Sequence, residues 1–338
     1  MKKRVLGVVS LTTALLVLAL SSQSAFATCT STGFIRDSIN MTAAQINPIG
    51  TVSGDVVATG CNIGIYYDRG DGSINKANIH GANYFGVVVN GDINEVTVNI
   101  TASYVHDIGE TPFNGTQHGV AIYYRAFAPD GISPSNTGSA SGKISGNVVT
   151  QYQKGGITVN GGSNANVMNN TVTGLGRVDF IAQNGIQLGF GGGAQVKNNT
   201  VTGNAYTGLN CASSGGVLVV GGALFGGALT TGSSITGNTL VNNDVGVFLF
   251  DADAGGDAPA SPTNIKVINN TITNDALTNL GGCSFPGYQA GVSDFGNNDK
   301  SINNTISGVG YTAPGTAATF AIPIDTLGTN FPKVHANK

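Results

Sequence analysis

The sequence predicts an all-β solenoid, in which short strands wind into coils stacked along one axis. Two repeated columns and the composition carry that prediction. The first column is Val267-Ile268-Asn269-Asn270-Thr271-Ile272-Thr273, which recurs with small changes at 167–173 and 196–202. Shorter copies lie at 235–240 and 302–307, and a looser one at 144–149. The second Asn of each copy falls at Asn147, Asn170, Asn199, Asn238, Asn270 and Asn304, in steps of 23, 29, 39, 32 and 34 residues. β-Branched runs at such a period indicate units that each cover the open face of the next. The second column is a Gly-[Val/Ile]-x-hydrophobic strand: Gly119-Val120, Gly156-Ile157, Gly185-Ile186, Gly216-Val217, Gly246-Val247 and Gly291-Val292. With 51 glycines and 10% charged residues the chain cannot be mainly helical, because Gly and β-branched residues both disfavour helix.

At the N-terminus, Lys2, Lys3 and Arg4 precede an uncharged apolar run from Leu6 to Leu20, and Ala25-Phe26-Ala27 supplies a small-residue cleavage pattern. Residues 1–27 read as a secretory signal peptide, since the apolar core is short for a membrane span. The mature protein is expected to be secreted and extracellular, with no transmembrane segment. Its formal charge falls from −3 to −6 when those three cations leave, and no basic run follows. A nucleic-acid partner is not expected. Four cysteines remain, Cys29, Cys61, Cys211 and Cys283. An even count in an exported chain suggests two disulfides, with three possible connectivities. Cys29–Cys61, pinning the N-terminal segment, and Cys211–Cys283, joining two loops, are favoured; four free thiols are the alternative.

Residues 28–50 read as an N-terminal cap, with no clean strand alternation and Pro48 as its end. A solenoid needs one, because its first coil otherwise exposes a core cross-section and unpaired strand edges. Coils follow over 51–312. Period-2 alternation turns Val120, Ile157, Ile186, Val217, Val247 and Val292 inward and their successors outward. The tail, 313–338, keeps Phe320, Ile322, Ile324, Leu327 and Phe331, too many apolar residues for disorder. It is expected to fold back over the last coil or along an outer face.

The pairing of the N-N-T-[Val/Ile]-[Thr/Ser] and Gly-[Val/Ile] columns resembles the right-handed parallel β-helix repeat family, the pectate-lyase-like superfamily, over roughly residues 50–312. The resemblance implies a single-stranded right-handed parallel β-helix. It also implies that Asn147, Asn170, Asn199, Asn238, Asn270 and Asn304 stack as an internal ladder. Amides in successive tight bends can satisfy turn backbone and bond to one another. Polygalacturonase-like members carry N-T-D, D-D, G-H-G and R-I-K signatures, of which only Gln117-His118-Gly119 is partly matched here. Without paired carboxylates, glycoside hydrolysis has no obvious acid and base.

Candidate site residues fall into three sets. Outward positions Tyr123, Gln187, Phe248, Phe250 and Phe295, with the polar positions Gln183 and Asp244 before the strand glycines, make an apolar strip beside a polar ridge. That layout suits a polysaccharide or cell-surface glycan, although such a strip is equally a surface for the 221–231 insertion or the tail to cover. Lys154, Arg177, Asp179 and His118 are the best available catalytic residues for a polysaccharide lyase or epimerase, which needs a base and a cation against the sugar carboxylate. Solvated turn charges are the competing reading. Asp251, Asp253 and Asp257 alternate around Gly255-Gly256, as calcium ligands do, but without the bidentate Glu of an EF-hand. The favoured function is a non-catalytic polysaccharide-binding or surface protein. A lyase or epimerase comes next, then an adhesin or coat-like protein.

Overall fold

The computed structural model describes residues 27–282, 286–314, 316, 319–326 and 328–338. The segment before residue 27, read from the sequence as a signal peptide, and Cys283 lie outside these. Among the described residues, eleven strands form a front sheet and seventeen a rear sheet. All pairings are parallel except the first of the front sheet and the isolated bridge Phe127–Pro134. The rear sheet is two files of strands hinged at a bend. Each full coil therefore has three strands: front, first rear and second rear.

The bend explains the N-N and G-N pairs. Its first residue takes a left-handed conformation: Gly146 at φ 67°, Asn169 at 56°, Asn198 at 55°, Gly237 at 67°, Asn269 at 57° and Asn303 at 56°. Gly and Asn are the residues that tolerate this region at least cost. The second residue turns inward. Both the backbone N–H and the side-chain NH₂ of Asn147 donate to Oδ1 of Asn170, each at 3.0 Å. The same pattern runs through Asn199, Asn238, Asn270 and Asn304. Each Nδ2 also donates to a carbonyl on the previous coil, such as Val167 O at 3.0 Å from Asn199. Two further rungs extend the ladder. Ser103 N–H donates to Asn147 Oδ1, and Asn304 Nδ2 donates to Asn337 Oδ1 at 2.9 Å.

Between the bends, inward side chains stack in three columns. The front column holds Ile65, Val87, Ile122, Ile157, Ile186, Val217, Val247 and Val292, all buried. Ile122, not Val120, pairs with Ile157, so the true register lies two residues beyond the one expected at that coil. Parity is kept, which is why the alternation still reads correctly. The column glycines have a steric reason: a Cβ on Gly156 would sit 2.5 Å from Gly185 O, and one on Gly291 2.5 Å from Pro323 O.

The two ends differ from expectation in instructive ways. Residues 28–50 form an antiparallel hairpin, Thr30–Arg36 with Ile39–Ile46, turning through Asp37 and Ser38, both at positive φ. Two consecutive positive-φ residues make the hairpin turn whose twist suits antiparallel strands. The second strand pairs in parallel with Ile63–Tyr67. The Cys29–Cys61 disulfide ties the hairpin to this coil. Cys211 is also disulfide-bonded. The tail supplies strands of a further coil. Thr319–Asp325 is the final front strand, and Lys333–His335 the final strand of the first rear file. Pro323 is tolerated because that strand is at the edge.

The interior also holds carboxyls. Burial raises Asp244 to about 7, against hydrogen bonds from Ser214 N–H, Tyr206 N–H and Asn279 Nδ2. Burial likewise raises Asp251 to about 7. Asp294 and Asp299 sit together, and burial plus the neighbouring carboxyl raises Asp299. Among the described residues, Asp244, Asp251 and Asp299 each have one oxygen with no hydrogen-bond partner.

Two predictions follow from this interior. Replacing Asn199 with Ala strands Asn170 N–H, Asn170 Nδ2 and Val167 O at once. At about 1–3 kcal/mol per unsatisfied group, the urea midpoint should drop by several kcal/mol equivalents, and far less for Asn337→Ala at the open end. An unchanged midpoint for Asn199→Ala would show that the ladder carries no stability. The raised acids bind protons more tightly folded than unfolded, so their contribution is complete below pH about 4 and is lost as pH rises to about 7. The melting temperature should therefore fall between pH 5 and pH 8, with a flatter profile for Asp244→Asn. A wild-type melting temperature that rises over that window would contradict the assignment.

Candidate functional site

The front sheet presents a file of aromatic rings. Phe248 and Phe250 project outward from Val245–Asp251 and stack at 4.9 Å with an interplanar angle of 10°. Phe295, which follows the next strand, lies 5.1 Å from Phe250 and 6.4 Å from Phe248. Tyr288 is 6.5 Å from Phe248 and stacks on Phe320 at 6.0 Å. Phe225, on the turn Ala223–Phe225 of the 221–231 insertion, meets Phe250 edge-on at 5.0 Å. Cover is partial. A Cβ on Gly328 would collide with the Phe295 ring, so the tail crosses one end, while Phe225 and Phe320 remain about 40% exposed. Phe248, Phe250, Phe295 and Tyr288 are half-buried. The Tyr288 hydroxyl donates to Asp325 Oδ2 at 2.7 Å and bonds with Ser293 Oγ at 2.8 Å, which fixes the ring.

Sequence reasoning missed Tyr288, Phe320 and Phe225, which lie off the repeat template. Conversely, three expected binding positions are interior. Tyr123 is 5% exposed and stacks on Phe85 at 5.3 Å, under the N-terminal hairpin aromatic Phe34. Gln183 and Asp244 are fully buried. Gln183 accepts from Leu175 N–H and donates to Gln153 O, while its own N–H donates to Ser214 Oγ. The polar ridge is thus a corner lining: long polar side chains turn inward where the backbone of the corner needs partners. Gln187 stays half-exposed, its amide donating to Asn160 Oδ1 at 3.3 Å.

The four expected catalytic residues are engaged separately. His118 Nε2 faces Glu110 Oε1 at 2.6 Å, and its ring stacks on Tyr84 at 3.8 Å. Lys154 lies beside it on the next coil, its N–H bonded to Gly119 O, and its ammonium donates to Ala182 O at 2.8 Å. Burial lowers Lys154 to about 8. Arg177 pairs with Asp275 at 2.8 Å instead of Asp179, which is exposed. That pair stands in a cleft of about 500 Å³ with Thr173, Leu175, Thr202 and Asn242. Glu110, Tyr84 and Asp275 carry no repeat signal, so only tertiary contact reveals them. A further cluster joins His80, Asp55, Asn78, His106 and Asp107 through contacts of 2.6–3.2 Å on the second rear file.

The three aspartates weighed for calcium diverge. Asp251 points inward and accepts from Thr230 N–H at 3.0 Å. Asp253 Oδ1 accepts from Gly255 and Asp257 N–H, closing its own turn. Among the described residues, no three His, Cys, Asp or Glu side chains group as metal ligands. No described helix is long and apolar enough to cross a membrane.

Comparison with curated proteins returns no match. One solved structure, titled "Glycoside hydrolase", aligns with 81% of this chain at 9% identity and a TM-score of 0.35. This chain spans 38% of that structure's length, and a likeness this low carries no argument about activity. The family described as "Right handed beta helix region" matches residues 38–225, more than half of the sequence. With the parallel coils, glycine column and asparagine ladder in place, this match makes the chain a member of the right-handed β-helix family.

Proposed function

We propose that this is an exported protein that holds an extended polysaccharide against its front face. The observation that carries the reading is the file of half-exposed rings Phe225, Phe250, Phe248 and Phe295, continued by Tyr288 and Phe320, on a sheet too stiff to collapse over them. Aromatic faces offer large apolar area at fixed orientation, with ring pairs contributing about 0.5–1.5 kcal/mol beyond burial. Gln187, half-exposed on the same face, can bond sugar hydroxyls. The Cys29–Cys61 disulfide accords with an oxidising compartment. Affinity electrophoresis through gels of neutral and acidic polysaccharides tests this. One polymer should retard the wild-type protein, and Phe248→Ala with Tyr288→Ala should weaken retention about tenfold, at about half that free energy per ring, with melting curves confirming that the variant is folded at the assay temperature. Retention unaffected by both substitutions would remove the rings from the site, and no retention across the panel would reject the reading.

A second reading, a lyase or epimerase acting on an acidic polysaccharide, is favoured by one observation: Lys154, lowered to about 8 by burial, on the coil next to the one that carries His118. A lysine in that range can act as a general base near neutral pH. Unsaturated uronate products would then appear by ultraviolet absorbance, at a rate rising with pH through about 8 and lost in Lys154→Ala. A flat trace in the wild type, on every acidic polysaccharide, would eliminate the lyase.

A further inference from the structure

The rear surface has a charge pattern that the front-face reading does not use. In the first rear file, one outward row runs Lys143, Asn166, Gln195, Ser234, Lys266, Lys300 and Lys333, each opposite the next on adjacent strands. The last three stand on consecutive rungs, about 4.8 Å apart along the axis. Lys197 lies in the neighbouring outward row, and His335 ends that row at the last rung. From Ser139 onward, the seven strands of this file contain no Asp or Glu, although acids outnumber Lys and Arg by 18 to 15 in the whole chain. None of these lysines forms an ion pair among the described residues. Lys266 and Lys333 are exposed and Lys300 is half-buried.

Like charges directly opposite on neighbouring strands are unfavourable. Edge protection accounts for Lys333, on the final strand, because a lysine there blocks further pairing. It does not account for Lys266 and Lys300, which are interior rungs. Nor does a compact anion, because the three lysines stand in a line on successive rungs. We infer that this row binds a linear polyanion laid parallel to the solenoid axis, its successive negative charges met by Lys266, Lys300 and Lys333. Asn264 and Asn298, joined Nδ2 to Oδ1 at 2.6 Å, border the row with exposed amides that can donate to the same chain. Carboxylate and phosphate polymers share this chemistry. Single-stranded nucleic acid is disfavoured because no outward aromatic stands in the row for bases to stack on.

Binding would be measured by fluorescence anisotropy over a salt series, using labelled polyuronate, inorganic polyphosphate and single-stranded DNA. The proposal expects one of the first two to bind at low salt, with affinity falling steeply as salt rises. The triple variant Lys266→Gln, Lys300→Gln, Lys333→Gln should weaken it about tenfold or more and reduce the log–log salt slope by about two to three, near one per phosphate-type contact. Lys76→Gln, at the bend of an early coil, should leave binding unchanged. Melting curves of the variants show whether the fold is intact. Wild-type affinity in the triple variant, no binding to either polymer, or tighter binding to DNA would each overturn the proposal. Loss through Phe248→Ala instead of the lysines would assign the polymer to the front face.

Discussion

Every coil of this molecule must carry a sharp bend through its own interior, where backbone groups have no water to bond. The asparagine ladder meets that constraint. One amide accepts two hydrogen bonds from the coil before it, and donates to a carbonyl and to the next amide. Because the donor on one rung is the acceptor on another, spacing along the ladder is locked to the strand spacing of the sheets. The preceding residue must sit in the left-handed region to aim the amide inward, hence Asn or Gly there. Register, inward packing and axial rise all depend on this repeated contact. The extra rungs at Ser103 and Asn337 show how far the requirement extends: the chain supplies a polar side chain even where its repeat has faded.

With the interior set by the period, the outer rows are free to differ. The front carries rings, the first rear file carries lysines without carboxylates, and the second rear file carries a row of threonines, Thr171, Thr200, Thr239, Thr271 and Thr305, all exposed. A solenoid converts sequence period directly into straight rows, so a residue type repeated in sequence becomes a line in space. That geometry suits extended polymers better than compact ligands, whichever face is considered. Among the interior acids, burial raises Asp244 and Asp251 well above the usual carboxylate range.

The columns themselves were legible because hydrophobic alternation and the N-N-T motif are local patterns with a direct physical cause. The terminal rung was legible too, in retrospect: Lys333-Val334-His335-Ala336-Asn337 repeats Lys300-Ser301-Ile302-Asn303-Asn304, with Ala336 in the left-handed position. It escaped notice because only Lys and the ladder Asn are kept. The polar corner residues misled for a different reason. Gln183 and Asp244 look like solvated turn residues, and whether a turn's polar side chain faces water or backbone depends on the coil above it.

The sequence by itself determined the all-β class, the inward columns and the ladder, since each rests on neighbours a few residues apart or on a recurring short motif. Tertiary structure alone decided which outward residues meet. His118 met Glu110, Arg177 found Asp275 across 98 residues, and Tyr288 and Phe320 joined the aromatic file from outside the template. Insertions of different length separate successive coils, so sequence distance does not measure separation along the axis. Only the closed set of rungs brings those side chains side by side.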